Sequence, residues 1–440
     1  MATPYENTRN WPHPAKLFLE VTTRCNLQCK MCVKQSSGCG IASGDLDVST
    51  LKALLPSMTR LDTVVLSGVG EPLLHPLLEP FISKIKAALP LSGTVGLQTN
   101  GTLLTRPKIE QLAGAGLNAI CLSIDAVQPG LLDAIRTGAK IGQLEWALKH
   151  LNDVKTQSSD APLKVGIQFV VMQGNMHQLP KVLQWAGRLG IDFAIVSHLY
   201  AYDPDLARQV AYTSNSDAAT TLFQDWRQKA ARYGLHIEDY TTASVKYYKC
   251  RSADEEKLID LVSAMKTHAY DRNISLHLPN LMGIDANRQS AVDALFAETR
   301  SVADHWGVDL ILPAHRPTHR RQCSFMEEGS VFVAWDGAVS PCHFTWHPYA
   351  SYPDGRKKIV SSVCFGNVEA MPLGDIWNVS RFKRFRNEAL LYAYPYCGDC
   401  GLSPCDAIEG PQFEHDCYAF GVPCCDCPWS VGLLNCLANG

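Results

Sequence analysis

Long apolar runs are missing from this 440-residue chain: nowhere do about 18 consecutive apolar residues occur, the least that spans a bilayer as a helix. The first residues, Met1-Ala2-Thr3-Pro4-Tyr5-Glu6, lack the charged start and apolar stretch of a secretory signal. Charge of one sign is missing as well. There are 40 Lys and Arg against 43 Asp and Glu, a net charge of −3, and no basic or arginine-rich tract stands out. Nothing electrostatic therefore calls for nucleic acid as a partner. Repeats and low-complexity linkers are also lacking. The expectation is a soluble, cytoplasmic protein that meets neither membrane nor nucleic acid.

Cysteine, by contrast, is plentiful at 17 residues, too many for an ordinary cytosolic enzyme. Four lie in the first 39 residues, two in the middle (Cys121 and Cys250) and eleven from Cys323 onward. In a reducing compartment such clusters point to metal before disulfides. The distribution proposes two metal-bearing ends around a cysteine-poor body. The length suggests two or three structural units, at about 100–200 residues each.

The N-terminal end carries Thr23-Arg24-Cys25-Asn26-Leu27-Gln28-Cys29-Lys30-Met31-Cys32, a C-x3-C-x2-C pattern just after an apolar run that reads as a strand at 16–22. A cubane iron–sulfur cluster takes four ligands, usually thiolates. Three thiolates in one loop would leave one iron open to a small molecule. The competing reading is a zinc knuckle, which prefers paired C-x2-C units with a fourth Cys or His in place. Only Cys39 follows closely. Further strands read at 63–68, 94–100, 119–125, 164–172 and 192–199. Helical patterns fall between them, at 48–58, 73–89, 107–115, 129–135, 141–156 and 176–189. Such alternation means βαβ units and a parallel sheet. Six repeats are too few to close an eight-stranded barrel. The expected fold class is α/β, an open partial (β/α)6 barrel with its ligand edge at the C-terminal ends of the strands. The triple-cysteine loop lies on that edge.

Other segments reach the same edge. Ser67-Gly68-Val69-Gly70-Glu71-Pro72 ends the second strand. Glycine permits close backbone approach to a ligand, and Glu71 offers a carboxylate to an ammonium. Gln98-Thr99-Asn100-Gly101 ends the third strand and Ser123-Ile124-Asp125 the fourth. Ser123 and Asp125 alternate on a strand and so share one face; Asp125 also reads as a turn or helix cap. By themselves, Arg136 reads as a solvated surface arginine and Gln168 on the fifth strand as a buried amide.

Together these segments resemble the radical S-adenosylmethionine (SAM) superfamily over about 16–200. The resemblance implies that Cys25, Cys29 and Cys32 hold a 4Fe–4S cluster whose open iron binds SAM through its amino and carboxylate groups. Reduction would then cleave SAM to methionine and a 5′-deoxyadenosyl radical. It further implies SAM contacts from Met31, packed on adenine, and from Gly68, Gly70 and Glu71 toward the amino group. Asn100, Ser123 and Asp125 would line the pocket, and Arg136 would lie near the carboxylate. Val69 departs from the family's paired glycines.

At the other end, Cys323-x13-Gly337-x4-Cys342 is followed by Cys397-x2-Cys400-x4-Cys405, then Cys417, Cys424-Cys425-Asp426-Cys427 and Cys436. Asp336-Gly337 after an apolar, aromatic run is a strong hairpin signal. This resembles the SPASM domain of peptide- and protein-modifying radical SAM enzymes, and implies one or two auxiliary 4Fe–4S clusters. The second half departs from the family spacing. Cys323, Cys342, Cys397, Cys400, Cys405, Cys417, Cys424, Cys427 and Cys436 form a ligand pool with no partition assigned. Adjacent Cys424 and Cys425 are not expected on one cluster. Cys39, Cys121, Cys250 and Cys364 read as incidental.

The expected organisation is a core at 1–200, a helical insert at 201–320 and a SPASM domain at 321–440. Helices at 216–233, 254–273 and 287–306 and a short strand at 309–312 would fill the insert. The expected function is a radical SAM/SPASM enzyme that takes hydrogen from a peptide or protein substrate, supplied with electrons by a reductase such as flavodoxin or ferredoxin. The tail from Asp416 to Cys436 resembles SPASM proteins that mature tungsten and other metalloenzymes, so a metallocofactor or small molecule stays open as substrate. A non-catalytic iron–sulfur electron carrier or zinc-binding protein is the alternative of another class.

Overall fold

The computed structural model describes residues 11–36, 39–157, 163–272, 274–283, 286–318, 321–400 and 405–435. Six parallel strands run side by side in chain order: β1 (Lys16–Leu19), β2 (Thr63–Leu66), β3 (Thr94–Thr99), β4 (Ala119–Ser123), β5 (Lys164–Val171) and β6 (Phe193–His198). Between them lie α1 (Val48–Met58), α2 (Leu78–Ala88), α3 (Arg106–Gly114), α4 (Pro129–Ile135), α5 (Ile141–Gln157) and α6 (Leu179–Arg188). The cause is visible locally. In α1, Asp47 accepts from Ser49 N at the N-cap, and Leu51, Leu54 and Met58 recur at helical spacing and are buried. The expected single helix at 73–89 is instead a short turn, Pro72–Leu74, followed by α2. Pro80 sits in the first turn of α2, where its missing N–H costs nothing.

The sheet does not stop at six strands. β7 (Asp309–Ile311) pairs parallel with β6. On the other side β8 (Ser330–Val333) pairs parallel with β1, β9 (Ala338–Ser340) antiparallel with β8, and β10 (Gly366–Asn367) antiparallel with β9. The result is one ten-stranded sheet. β1 thus has a partner on each side, Leu17 lying in register with both Val64 and Val331. Leu17, Phe18, Leu19 and Val331 to Val333 are at most 1% exposed. An apolar strand buried this fully cannot be left as an open edge, and the C-terminal hairpin supplies the missing neighbour.

The insert contains α7 (Asp217–Arg232), α8 (Ala253–Asp271) and α9 (Ala286–Trp306). α7 and α8 share a small core of their own that includes Phe223, Leu258, Val262 and Met265. Ser252 and Glu255 form a capping box at the start of α8. Among the described residues no helix is long and apolar enough to cross a membrane.

The turn between β8 and β9 places Gly337 at φ +83°, with Asn367 Oδ1 2.8 Å from where a Cβ would sit. Gly337→Ala is expected to cost about 1–2 kcal/mol or more, read as a lowered denaturant midpoint.

Candidate active site

The cysteine loop starts at the C-terminal end of β1 and is tied down at several points. Thr22 Oγ1 donates to Asp45 Oδ1 (2.6 Å) and Thr23 Oγ1 to Ala42 O (2.8 Å). Gln28–Cys29 pairs antiparallel with Arg136–Thr137. Lys30 N donates to Ile135 O and Cys32 N to Cys29 O, both at 3.0 Å. Cys25, Cys29 and Cys32 consequently line one cavity of about 320 Å³. All three thiols are free. Two donors approach the sulfurs: Asn100 Nδ2 lies 3.9 Å from Cys25 Sγ, and Arg136 Nη1 4.0 Å from Cys29 Sγ. Burial pushes the Cys29 thiol up and the Cys32 thiol up to about 11. A metal centre bound here must displace those protons, so its assembly is favoured as pH rises.

The glycine turn after β2 is packed against the end of β1. A Cβ on Gly68 would lie 2.5 Å from Glu20 Cγ, and one on Gly70 2.2 Å from Thr22 O. Only glycine permits that approach. Glu20 is fully buried; its Oε1 accepts from Val69 N at 3.0 Å. His347 Nε2 donates to the same carboxylate, 3.0 Å from Oε2 and 3.1 Å from Oε1. A residue far down the chain therefore helps hold the turn. Sequence reasoning missed both Glu20 and His347. The one available signal was a lone acidic residue inside an apolar strand, which burial obliges to find a partner.

Glu71 lines the cavity, but its carboxylate is largely spent on structure. Oε1 accepts from Thr99 Oγ1 (2.6 Å) and Leu73 N (3.1 Å), and Oε2 from Asn100 N (2.7 Å). Three of roughly four acceptor positions are taken. Burial pushes its pKa up, opposed by the Asn100 and Thr99 donors. Its visible work is to join the ends of β2 and β3.

Met31, Gly68, Gly70, Asn100, Ser123, Arg136 and Gln168 all line the same cavity. Asp125 is not among the residues that line it. β4 ends at Ser123, and Asp125 turns inward with no exposure. Its Oδ2 accepts from Arg136 Nε (2.6 Å) and its Oδ1 from Val170 N (2.7 Å). Asp125 thus orients Arg136 from behind.

No sequence signal marks Tyr202, His343, Trp346, Trp429 and Asn435, which also line the cavity. The tail delivers the last two. Gln322 N donates to Ser430 O (2.8 Å), Thr318 N to Val431 O (3.0 Å) and Ala314 N to Gly432 O (2.8 Å). Asn435 Nδ2 then donates to Val196 O at the end of β6 (2.7 Å). His343 is boxed by aromatic rings, and burial pushes its imidazole down to about 3.

The C-terminal thiols fall into two groups. Burial pushes Cys424 and Cys427 well up, and the nearby thiols of Cys323 and Cys342 push them further. Cys342 and Cys427 also pack on one apolar cluster with Tyr200, Phe344 and Tyr349. A second cavity, of about 180 Å³, is lined by Cys397, Cys400, Cys405, Cys417 and also Cys427. Cys425 is hydrogen-bonded to Cys397. Cys436 lies outside the described residues. Cys121 is buried on β4, and Cys250 and Cys364 are exposed. Among the described residues no three His, Cys, Asp or Glu side chains converge closely enough to hold one metal ion.

A cysteine loop beside a glycine turn at the C-terminal edge of a partial β/α barrel defines an iron–sulfur enzyme that binds a small cofactor. The radical SAM superfamily matches residues 19–186, and the SPASM iron–sulfur cluster-binding domain matches 323–401. The chain is a radical SAM enzyme with a SPASM domain, and its cofactors are SAM, the 4Fe–4S cluster that binds it and auxiliary iron–sulfur clusters. It is 26% identical over 428 residues to the tungsten-containing aldehyde ferredoxin oxidoreductase cofactor-modifying protein of Pyrococcus furiosus, covering 96% of each chain. It is 28% identical over 222 residues to the PqqA peptide cyclase of Bradyrhizobium diazoefficiens, covering 49% of this chain and 55% of that one. Its fold is similar to that of Streptococcus suis SuiB bound to S-adenosylmethionine, at a TM-score of 0.50 and 12% identity over 88% of this chain and 69% of that one.

His347→Ala is expected to cost about 1.5–3 kcal/mol of stability, the usual loss for a hydrogen bond to a charged partner. It should also weaken SAM binding, because the Val69 turn loses part of its anchor. Equilibrium binding of SAM to the reconstituted protein checks this, and His347→Gln should recover most of the affinity.

Proposed function

We propose that the protein uses SAM at the Cys25, Cys29 and Cys32 site to modify a metalloenzyme cofactor or its precursor. The observation that carries the site is the convergence of those three thiols with Gly68, Gly70 and Arg136 on one cavity. The residues fit the cluster: the thiols are free, and Asn100 and Arg136 offer N–H groups to two of the sulfurs. When bound, cluster and SAM together supply hydrogen-atom abstraction. The chain's own part is to hold and orient: Arg136, steadied by Asp125, places a positive charge where a carboxylate can meet it, and the Gly68 to Gly70 turn brings backbone to the ligand. Aromatic residues from the C-terminal region exclude water. The end-to-end likeness to the Pyrococcus cofactor-modifying protein supports the cofactor-maturation reading. A peptide or protein substrate is the second reading, favoured by the half-length likeness to PqqA peptide cyclase. A flavodoxin- or ferredoxin-type reductase in the cytoplasm would supply the electrons.

The auxiliary ligands divide into Cys323, Cys342, Cys424 and Cys427 for one cluster, and Cys397, Cys400, Cys405 and Cys417 for another. Mutual proximity within each set supports this division. A zinc ion would draw its sulfurs to about 2.3 Å from one point, whereas a cluster takes them at separated corners. In this reading the core at 1–200 generates the radical, the insert at 201–320 shapes substrate access and the SPASM region at 321–440 binds the auxiliary clusters.

Replacing Cys25, Cys29 and Cys32 together by Ala should remove about 4 of roughly 12 irons and abolish 5′-deoxyadenosine formation with dithionite. Continued formation would refute the site. Cys342→Ala combined with Cys424→Ala should lose no more iron than either alone. Cys342→Ala combined with Cys417→Ala should lose about twice as much, at about 4 irons per cluster.

A further inference from the structure

With the cysteine loop and the glycine turn assigned to cluster and SAM, the cavity keeps a lining that neither explains. Tyr202, His343, Trp346, Trp429 and Asn435 compose it, without an Asp, Glu, Lys or Arg among them. The charged residues that line the cavity elsewhere are Glu71 and Arg136, and both are already engaged.

His343 is the centre of this lining. Its ring stands edge-on to Phe18 (centroids 4.7 Å apart), Phe325 (5.2 Å), Phe332 (5.4 Å) and Trp346 (5.1 Å). That box packs the imidazole, whose ring stays partly exposed, and neither nitrogen has a hydrogen-bond partner among the described residues. Trp346 contributes a buried indole N–H with no acceptor among the described residues. Unpaired polar groups in an apolar wall are costly unless something satisfies them. A hydrocarbon would leave them unpaired. A carboxylate or phosphate would be buried among aromatic rings without a cation beyond Arg136. A neutral imidazole offers one donor and one acceptor, and the indole a further donor. Their complement is an uncharged flat group that carries a carbonyl beside an N–H.

We propose that His343 is a substrate-positioning residue that binds a planar amide edge, the chemistry shared by a heterocyclic lactam and a peptide bond. The assignment rests on the radical SAM reading of the cavity and names what its remaining wall selects. A lactam is the form a heterocyclic cofactor precursor would present; a backbone amide is the form a peptide would present.

The test uses the anaerobically reconstituted enzyme with SAM present. Two labelled probes are compared by equilibrium dialysis: guanosine, a neutral lactam, and N-acetylglycine N-methylamide, a neutral peptide amide. One probe is expected to bind, and its identity tells cofactor from peptide. His343→Phe, which keeps the aromatic packing, should weaken that binding roughly three- to tenfold, as for one lost hydrogen bond between uncharged groups. His343→Gln, with a donor and an acceptor of its own, should restore it to within about twofold. Iron content reports whether each variant is folded, and His343→Leu replaces the Phe variant if that one loses iron. The proposal is overturned if neither probe binds, if the apolar variants bind as well as wild type, or if N-acetylglycine, with its free carboxylate, binds as tightly as the methylamide. The underlying reading is scored separately: wild-type enzyme that makes no 5′-deoxyadenosine with dithionite removes it, whatever the probes do.

Discussion

A single buried carboxylate ties this molecule together. Glu20 follows the apolar run of the first strand with no exposure to water, and a buried carboxyl group there must find hydrogen-bond partners. Two donors match it. One is Val69 N, inside the glycine turn; the other is His347, from the C-terminal region. The same residue therefore sets the distance between the cysteine loop that follows it, the turn beside it and the hairpin that covers it. Removing either donor leaves a buried acceptor short of a partner, which is why the turn and the C-terminal region are coupled mechanically as well as by sequence order.

That coupling gives the two ends of the chain one cavity. β8 completes the sheet beside β1, so the segment after Cys342 is carried over the cysteine loop. Within six residues it contributes a thiol, a boxed imidazole, an indole and the partner of Glu20: Cys342, His343, Trp346 and His347. The segment therefore belongs at once to an auxiliary thiol group and to the active-site lining. A reaction that draws on both has its parts fixed by one short stretch of backbone.

The parts of this arrangement that were legible in sequence are those whose physics is local. Apolar runs and alternating patterns between helical stretches made β1 to β6 readable, and thiol spacing identified the loop at Cys25. The Asp336-Gly337 turn announced its hairpin. Pairings between distant segments leave no such trace. Nothing near Lys16 says that Ser330 to Val333 will lie beside it, and Glu20 does not name His347. Asp125, just past the end of β4 at Ser123, bonds Arg136 and Val170 N, partners that its place in the sequence does not name. His343 was invisible because its significance lies in the lack of a partner, which only three-dimensional packing reveals.

The central claim is that the cavity lined by Cys25, Cys29, Cys32, Gly68 and Arg136 holds SAM directly on the cluster. Electron–nuclear double resonance on the reduced, reconstituted protein tests it most directly, with SAM labelled at its amino nitrogen. The account predicts a hyperfine coupling between that nitrogen and the cluster, lost when Cys25, Cys29 and Cys32 are replaced. A reduced cluster that shows no coupling to bound, labelled SAM would contradict it.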